Sequence, residues 1–117
     1  RQDPKSPYSG VISIFADRLL RGEALTVFGD GLQSRDFVHV SVVVAALRAG
    51  MDRADTAAPV FNVCAGRSTT VLELARTLAE ACGRVPVIRH APGRAGEIRH
   101  SLGAPDAARA ALGLGEP

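Results

Sequence analysis

Two arginine-bearing loops are the segments of this sequence best suited to bind an anion. Arg35 follows the glycine turn Gly29-Asp30-Gly31 and begins a stretch with strand character, whereas Arg94 is bracketed by glycines and has Glu97 three residues further on. An arginine fork can donate two parallel hydrogen bonds to phosphate oxygens, and a carboxylate can accept hydrogen bonds from ribose hydroxyls. The loops therefore indicate a site for a phosphorylated ligand that also carries a sugar.

Ordinary surface roles remain open for the same side chains. Arg35 can pair with a neighbouring aspartate, Asp30 or Asp36, and the second loop can be a solvated charged loop. Spacing alone favours these alternatives. Two histidines, His39 and His100, belong to a residue type that titrates near neutral pH, but such residues are more often packed or exposed than catalytic. Residue types and spacing therefore indicate a candidate anion-binding site, but they do not distinguish it from an ordinary charged surface.

Groups for bond-making chemistry are missing from the sequence. It has no G-x-G-x-x-G dinucleotide loop, no Walker loop and no G-x-S-x-G nucleophile elbow. Tyr8 is the only tyrosine, and no lysine lies four residues after it. Cys64 and Cys82 lie in apolar contexts, which predicts buried small side chains rather than a disulfide or a metal site. We therefore expect binding residues but neither a catalytic residue nor a metal.

Composition and charge argue against two classes of partner. The 117 residues include 46% hydrophobic and 22% charged side chains, which is ordinary for one small globular domain. A net charge of +2, spread along the chain, is too small to indicate nucleic acid or a membrane surface as partner. No apolar stretch could span a bilayer, and residues 1–7 lack the apolar core of a signal peptide. We expect a cytoplasmic protein, and a chain without an initiator methionine is expected to be a fragment.

The first part of the chain predicts a helix, a strand and a turn. Apolar residues at three- and four-residue steps predict a helix over Tyr8–Gly22, capped by Ser6 or Ser9. A β-prone run predicts a strand at Leu25–Phe28, and the two glycines after it predict a turn at residues 29–31.

The middle of the chain predicts two strands around a helix. Alternation predicts a strand at Arg35–Val40, followed by a helix that Ser41 caps and that runs to about Arg53. Val60–Val63 is apolar throughout, as a central strand of a parallel sheet would be. Few strands are available to flank it, so this strand indicates a piece of a larger sheet.

The last part of the chain predicts a well-capped helix and several short elements. Thr70 and Glu73 have capping-box spacing, so a helix is expected to begin there and to stop at Gly83. Beyond it we expect a β-prone run, a short strand and a final helix, at Val85–Ile88, Ile98–Leu102 and Asp106–Leu112. Helices and strands alternate, which predicts an α/β fold.

Taken together, these segments resemble the C-terminal region of the extended short-chain dehydrogenase/reductase-type sugar-nucleotide epimerases and dehydratases. The most characteristic stretch is Leu25-Thr26-Val27-Phe28-Gly29-Asp30-Gly31-x-Gln33-Ser34-Arg35-Asp36-Phe37-Val38-His39-Val40. Three more stretches occur in the family's order, so that the resemblance covers nearly the whole chain: Arg1–Ile12, Phe61–Leu74 and Arg94–Ser101. UDP-glucose 4-epimerase-like enzymes are the subgroup that these motifs resemble most.

The resemblance implies a role for each matching position. Arg35 and Arg94 would hold a nucleotide diphosphate, and Glu97, which stands where the family usually has aspartate, would receive a ribose hydroxyl. Thr26, Val27 and Phe28 would line the uracil pocket by backbone contacts and packing. Gly10 and Val11 would flank the base or phosphate at a helix start, and Ser101 would make a further substrate contact.

The resemblance also implies a fold, a cofactor and partners. Residues 1–117 would form the C-terminal substrate-binding lobe of an extended Rossmann-type α/β enzyme, with a fragment of its parallel sheet. The absent N-terminal portion would bind NAD and supply the catalytic groups, so this fragment alone is expected to be inactive. The implied enzyme is a homodimeric NAD-dependent 4-epimerase of UDP-sugars. A dehydratase or reductase of the same family, or a non-catalytic nucleotide-binding or degenerate fragment, is the alternative.

Overall fold

Four helices and four strands are formed by the residues that the computed structural model describes, namely Asp3, Lys5, residues 10–53, Ala57 and residues 59–115. In chain order these elements are α1 (Val11–Leu20), β1 (Leu25–Phe28), β2 (Ser34–Asp36), α2 (Val40–Met51), β3 (Ser68–Thr70), α3 (Val71–Ala81), β4 (Ile88–Ala91) and α4 (Asp106–Leu112). They fall into two compact units, unit 1 with Arg1–Gln33 and Thr70–Arg99, and unit 2 with Ser34–Thr69 and His100–Pro117. The predicted α/β class is confirmed.

Unit 1 is built around β1, which occupies the predicted residues. This strand pairs with β4 in parallel, from Leu25 opposite Ile88 to Phe28 opposite Ala91, and α1 and α3 pack on it and on each other. Leu25 and Val27 are fully buried, because alternate residues of a strand point to the same face. Apolar side chains of the two helices complete this core: Phe15, Leu19, Val71, Ala75 and Ala79.

Helix α1 confirms the predicted helix over the described residues. It begins at Val11, with Gly10 as an N-cap in extended conformation and no side-chain cap. The predicted caps Ser6 and Ser9 lie outside the described residues. Gly22 follows the helix with a φ of 72°, the left-handed conformation that glycine adopts after helix C-termini.

Helix α3 begins with the predicted capping box. The Thr70 hydroxyl accepts a hydrogen bond from the Glu73 N–H at 3.2 Å, and the Glu73 carboxylate accepts one from the Thr70 N–H at 2.7 Å. The helix ends at Ala81, with Cys82 as C-cap and Gly83 at a φ of 62°. Both predicted ends of this helix are therefore confirmed.

Replacing Thr70 with alanine is expected to lower the free energy of unfolding by about 1 kcal/mol, because it leaves the Glu73 N–H without its capping acceptor. Urea denaturation of the two proteins measures the difference. Thr77→Ala, at an exposed position inside α3, is the matched control and is expected to cause no loss, because alanine favours a helix interior more than threonine does. Equal losses from the two substitutions would show that the capping box does not stabilise α3.

Unit 2 contains a second two-stranded sheet of β2 and β3, and a pair of packed helices, α2 and α4. The predicted helix Asp106–Leu112 is confirmed as α4. The predicted strand Arg35–Val40 is wrong beyond Asp36, because the chain turns there into α2. Ser41 is not the cap of α2: the His39 ring Nδ1 accepts the Ser41 N–H at 3.2 Å and takes the N-cap position.

Three predicted strands are displaced or absent. Val60–Val63 forms no strand, because a strand requires a partner and none of the described residues pairs with this segment. Val60 is accordingly not buried, and its side chain is 94% exposed. The strand that follows α2 is β3 instead. The β-prone run Val85–Ile88 pairs only from Ile88 onward, as β4. Ile98–Leu102 is reduced to one parallel bridge between His100 and Ser34.

Candidate functional site

A cleft of about 400 Å³ in unit 1 brings together three of the predicted site residues, Thr26, Phe28 and Arg94. Its other walls come from α1 and the residues around it: Lys5, Ile14, Asp17, Arg18, Arg21 and Glu23. The cleft is the place where the predicted base-binding strand and the predicted phosphate-binding loop meet.

Strand β1 presents alternate residues to this cleft. Because Leu25 and Val27 point into the core, Thr26 and Phe28 point to the opposite face and are half-buried there. The N–H groups of Leu25 and Gly29 donate to β4 neighbours at 2.8 Å. In a parallel ladder, alternate residues of a strand direct their backbone N–H and C=O groups to the same neighbouring strand. The backbone groups of Val27 therefore also face β4, and those of Thr26 face the other edge of β1.

This alternation separates the three residues predicted to line a base pocket. Thr26 and Phe28 line the cleft, whereas the Val27 side chain is fully buried in the core and does not reach it. The sequence motif includes all three residues of the strand, but in a pleated strand successive side chains point to opposite faces, here the core and the cleft. The Val27 side chain therefore packs in the core, and the predicted contacts of all three residues with a base stay predictions.

The Arg94 guanidinium lies over the Phe28 ring, with Cζ 3.7 Å from the ring centroid. A cation over an aromatic face is attracted by the ring quadrupole, and a stacked guanidinium keeps its N–H donors in its own plane. The plane of the Arg94 guanidinium therefore packs on the ring, and the N–H groups at its edge remain able to donate hydrogen bonds to phosphate oxygens.

The cleft has a basic balance. It is lined by four basic side chains and two acidic ones. Arg21 pairs with Asp17 at 3.2 Å, and Arg18 donates to the Ala24 carbonyl at 3.3 Å. The Asp17–Arg21 pair offsets one positive charge, whereas Arg18 keeps its charge when it donates to a carbonyl, so the cleft retains a positive balance that suits an anionic ligand.

The loop that carries Arg94 lies against the turn after β1. A Cβ on Gly29 would stand 3.8 Å from the Gly93 Cα, an ordinary van der Waals contact, so the two segments are neighbours. The Glu97 N–H donates to the Arg94 carbonyl at 3.4 Å, which closes a turn inside the loop. Glu97 itself is exposed, and its predicted contact with a ribose hydroxyl stays a prediction.

An ion pair joins the end of the same loop to the same turn. Arg99 Nη1 and Nη2 donate to the Asp30 carboxylate at 2.6 and 2.7 Å. The pKa of Asp30 is lowered from 3.8 to about 2, first by the hydrogen bonds from Arg99 and then by that from the Leu32 N–H, and the pKa of Arg99 is raised by the same pairing. Because the pKa of Asp30 is lowered in the folded protein, the stability that this pair contributes is fully present above pH 3.8 and is lost as the pH falls through about 2.

Arg35 belongs to unit 2, where it is half-buried and donates to the Ser34 carbonyl at 2.8 Å. The two carboxylates considered as its surface partners have other bonds. Asp30 pairs with Arg99, and Asp36 accepts backbone hydrogen bonds. The role predicted for Arg35 toward a phosphate stays a prediction.

Asp36 is a structural residue that the sequence did not single out for this role. Its carboxylate accepts the N–H groups of Ala65 and Gly66 at 2.9 Å each and that of Gly103 at 3.2 Å. The Arg109 guanidinium supports the same peptide from the other side by donating to the Ala65 carbonyl at 2.9 Å. One carboxylate thus holds together two loops of unit 2 that are far apart in sequence.

The remaining predicted residues have local backbone or packing roles. Gly10 is the N-cap of α1, and its carbonyl accepts the Ser13 hydroxyl at 2.9 Å. Val11 packs against the unit 1 core. Ser101 is exposed in unit 2, and its N–H donates to the Ser34 carbonyl at 3.1 Å. Their predicted ligand contacts stay predictions.

A second cavity, of about 490 Å³, lies in unit 2 and contains none of the predicted site residues. Its lining is apolar apart from Arg53, whose guanidinium lies 5.6 Å from the centroid of the Phe61 ring. In the described part of the chain no cluster of three or more histidine, cysteine or acidic residues could hold a metal, and no helix is long and apolar enough to cross a bilayer.

The family follows from the match to known proteins. Residues 1–64, more than half of the chain, match the NAD dependent epimerase/dehydratase family. This chain belongs to that family, as its sequence motifs indicated.

Individual relatives agree with this assignment. The chain is 42% identical over 84 residues to the UDP-glucose 4-epimerase of Mycolicibacterium smegmatis, covering 71% of this chain and 26% of that protein. It is 40% identical over 73 residues to the dTDP-glucose 4,6-dehydratase of an Actinoplanes species, covering 62% of this chain and 22% of that protein. The crystal structure of Thermotoga maritima UDP-glucose 4-epimerase with UDP-glucose superposes with a TM-score of 0.84 at 42% identity, over 97% of this chain and 36% of that one.

The chain spans about a quarter of the length of the curated relatives that it matches. What the longer enzymes bind and catalyse is therefore a property of those proteins.

Proposed function

We propose that this chain is the UDP-sugar-binding portion of an NAD-dependent sugar-nucleotide 4-epimerase. The observation that carries the proposal is the Arg94 guanidinium stacked on Phe28 in a basic cleft beside the outward edge of β1. Arg94 donates to the diphosphate, and Thr26 offers its backbone groups to the edge of the uracil ring. The known ligands of similar proteins, among them the UDP-glucose of the Thermotoga maritima enzyme, support this choice of substrate class.

The contribution of this portion to catalysis is binding energy remote from the reacting sugar carbon. Interactions with the nucleotide can orient the sugar toward the reacting groups, and such positioning lowers the barrier of a step in which the binding residues take no part. None of the described residues forms a glycine-rich strand-to-helix turn for a dinucleotide pyrophosphate, so this chain's residues do not fit NAD. NAD and the proton-transfer groups belong to the N-terminal portion of the longer enzyme, and the chain alone is inactive.

The apolar surface of unit 2 is where that N-terminal portion packs in this proposal. Leu47 and Met51 of α2 are 64% and 85% exposed, and Val60 is 94% exposed. Exposed apolar groups of this kind commonly mark an interface. A neighbouring strand would also complete the predicted strand Val60–Val63. The full enzyme is a cytoplasmic homodimer in this view.

Two other functions remain as alternatives. The similarity to a dTDP-glucose 4,6-dehydratase is almost as high as that to an epimerase, so a dehydratase or reductase with the same nucleotide-binding portion is the second candidate. A non-catalytic nucleotide-binding chain is the third. Comparing the affinities for UDP and dTDP distinguishes a uracil-binding enzyme from a thymine-binding one, because the thymine methyl group must fit beside β1.

Isothermal calorimetry with UDP tests the proposal. We expect Arg94→Ala to weaken UDP binding by about tenfold to a hundredfold, because it removes charge-assisted hydrogen bonds and the stacked cation. Arg76→Ala, which removes one positive charge from the exposed side of α3 outside the cleft, is the matched control and should change affinity little.

Two outcomes of this titration contradict the proposal. One is the absence of heat on titration with both UDP and dTDP. The other is an equal loss of affinity in Arg94→Ala and Arg76→Ala, which would assign UDP binding to overall charge rather than to the cleft.

A further inference from the structure

The loop from Pro92 to Arg99 is fastened to the turn after β1 at both of its ends. At the first end, the β1–β4 ladder closes with the Gly29 N–H donating to the Ala91 carbonyl at 2.8 Å. At the other end, Arg99 binds Asp30 through two hydrogen bonds of 2.6 and 2.7 Å. Arg94 lies between these two attachments, over the Phe28 ring.

We propose that the Asp30–Arg99 ion pair is a positioning device that holds Arg94 over Phe28 and thereby sets the affinity of the cleft for a diphosphate. The part about affinity rests on the proposed function. Arg99 does not line the cleft, so it acts through the loop rather than by touching the ligand. No role toward the ligand follows for Arg99 or Asp30 from the family motifs.

The composition of the loop explains why a second attachment matters. Gly93 and Gly96 lie on either side of Arg94, and Gly96 has a φ of 77°. Glycines leave a loop many alternative conformations, so the ladder alone would not order the far end. A ligand that must order a loop binds more weakly than one that meets an ordered loop. The Asp30 carboxylate is itself oriented, because it accepts the Leu32 N–H at 2.9 Å.

Two single substitutions break the pair in opposite electrostatic directions. Arg99→Ala removes a positive charge, whereas Asp30→Asn removes a negative one and keeps an acceptor for the Leu32 N–H. If charge alone governed binding, Asp30→Asn would tighten UDP binding. If the pair positions Arg94, both substitutions weaken it, and we expect a loss of about threefold to tenfold in each. Tighter binding by Asp30→Asn would overturn the proposal.

A readout without nucleotide tests the positioning itself. Protons over an aromatic ring resonate upfield, so the side-chain resonances of Arg94 report its contact with Phe28. We expect NMR spectra of Asp30→Asn and Arg99→Ala to show these resonances moved toward their unshielded positions. Unmoved resonances in both variants would overturn the proposal. If they move although the unaltered protein binds no UDP, the positioning stands and the proposed function fails.

A double-mutant cycle with Arg94 shows whether Arg99 acts through it. Once Arg94→Ala is present, adding Arg99→Ala is expected to cause no further loss of UDP affinity, because nothing is left to position. A direct phosphate contact by Arg99 would instead make the two losses additive, and that result would contradict the proposal. Thermal unfolding of each variant, with midpoints close to that of the unaltered protein, shows that the changes in affinity do not come from unfolding.

Discussion

Gly31→Ala is expected to lower the free energy of unfolding by about 3 kcal/mol, as two costs are added together. Gly31 has a φ of 76°, in the left-handed region that alanine adopts only with strain. A Cβ at this position would also stand 2.6 Å from Leu72 Cγ and 2.8 Å from Val27 Cγ1. Val27 is fully buried and cannot move aside cheaply. Urea denaturation measures the loss.

Gly22 provides a control for the first of these costs. Its φ of 72° is nearly the same, but a Cβ added there would meet no atom within 4 Å. Gly22→Ala is therefore expected to cost about 1 kcal/mol, from backbone strain alone. Equal losses at the two glycines would contradict the close packing of the turn against α3 and β1.

Asp36→Ala is expected to destabilise unit 2 by about 3 kcal/mol, because three backbone N–H groups lose a charged acceptor. Water can reach part of this site, which limits the loss to less than the sum of three separate bonds. Amide hydrogen exchange provides the local measurement. The Ala65, Gly66 and Gly103 N–H groups should exchange faster in the variant, while those of the β1–β4 ladder should change much less.

The matched control for this substitution is Asp52→Ala. Asp52 is exposed at the C-cap of α2, where a negative charge is not favoured by the helix dipole. Its removal is expected to leave stability within about 0.5 kcal/mol of the unaltered protein. If protection of Ala65 and Gly66 were the same in Asp36→Ala as in Asp52→Ala, the assigned role of Asp36 would be wrong.

Local signals in the sequence predicted the elements whose causes are also local. The Thr70–Glu73 capping box, the glycines at both ends of β1's turn and the apolar steps of α1 act over three or four residues, and the structure has them where they were expected. The Arg94 loop was likewise identified from its glycines and from a family motif. Its position over Phe28 required the fold, because those residues meet across the β1–β4 pair.

Signals that depend on distant partners were less informative. Val60–Val63 has the composition of a buried strand, but a strand forms only with a neighbour, and no described segment supplies one. His39 displaced Ser41 as the N-cap of α2 because an imidazole nitrogen can also accept the backbone N–H. The role of Asp36 depends on loops that lie 29 to 67 residues away, which no spacing rule reveals.

A crystal structure of the protein with UDP would show whether the cleft of unit 1 binds the nucleotide. We expect the diphosphate within hydrogen-bonding distance, about 3 Å, of the Arg94 guanidinium. We also expect the uracil against the outward edge of β1 at Thr26 and Phe28, with the Val27 side chain remaining in the core. UDP bound in the apolar cavity of unit 2, or bound in unit 1 without contact to Arg94, would contradict this expectation.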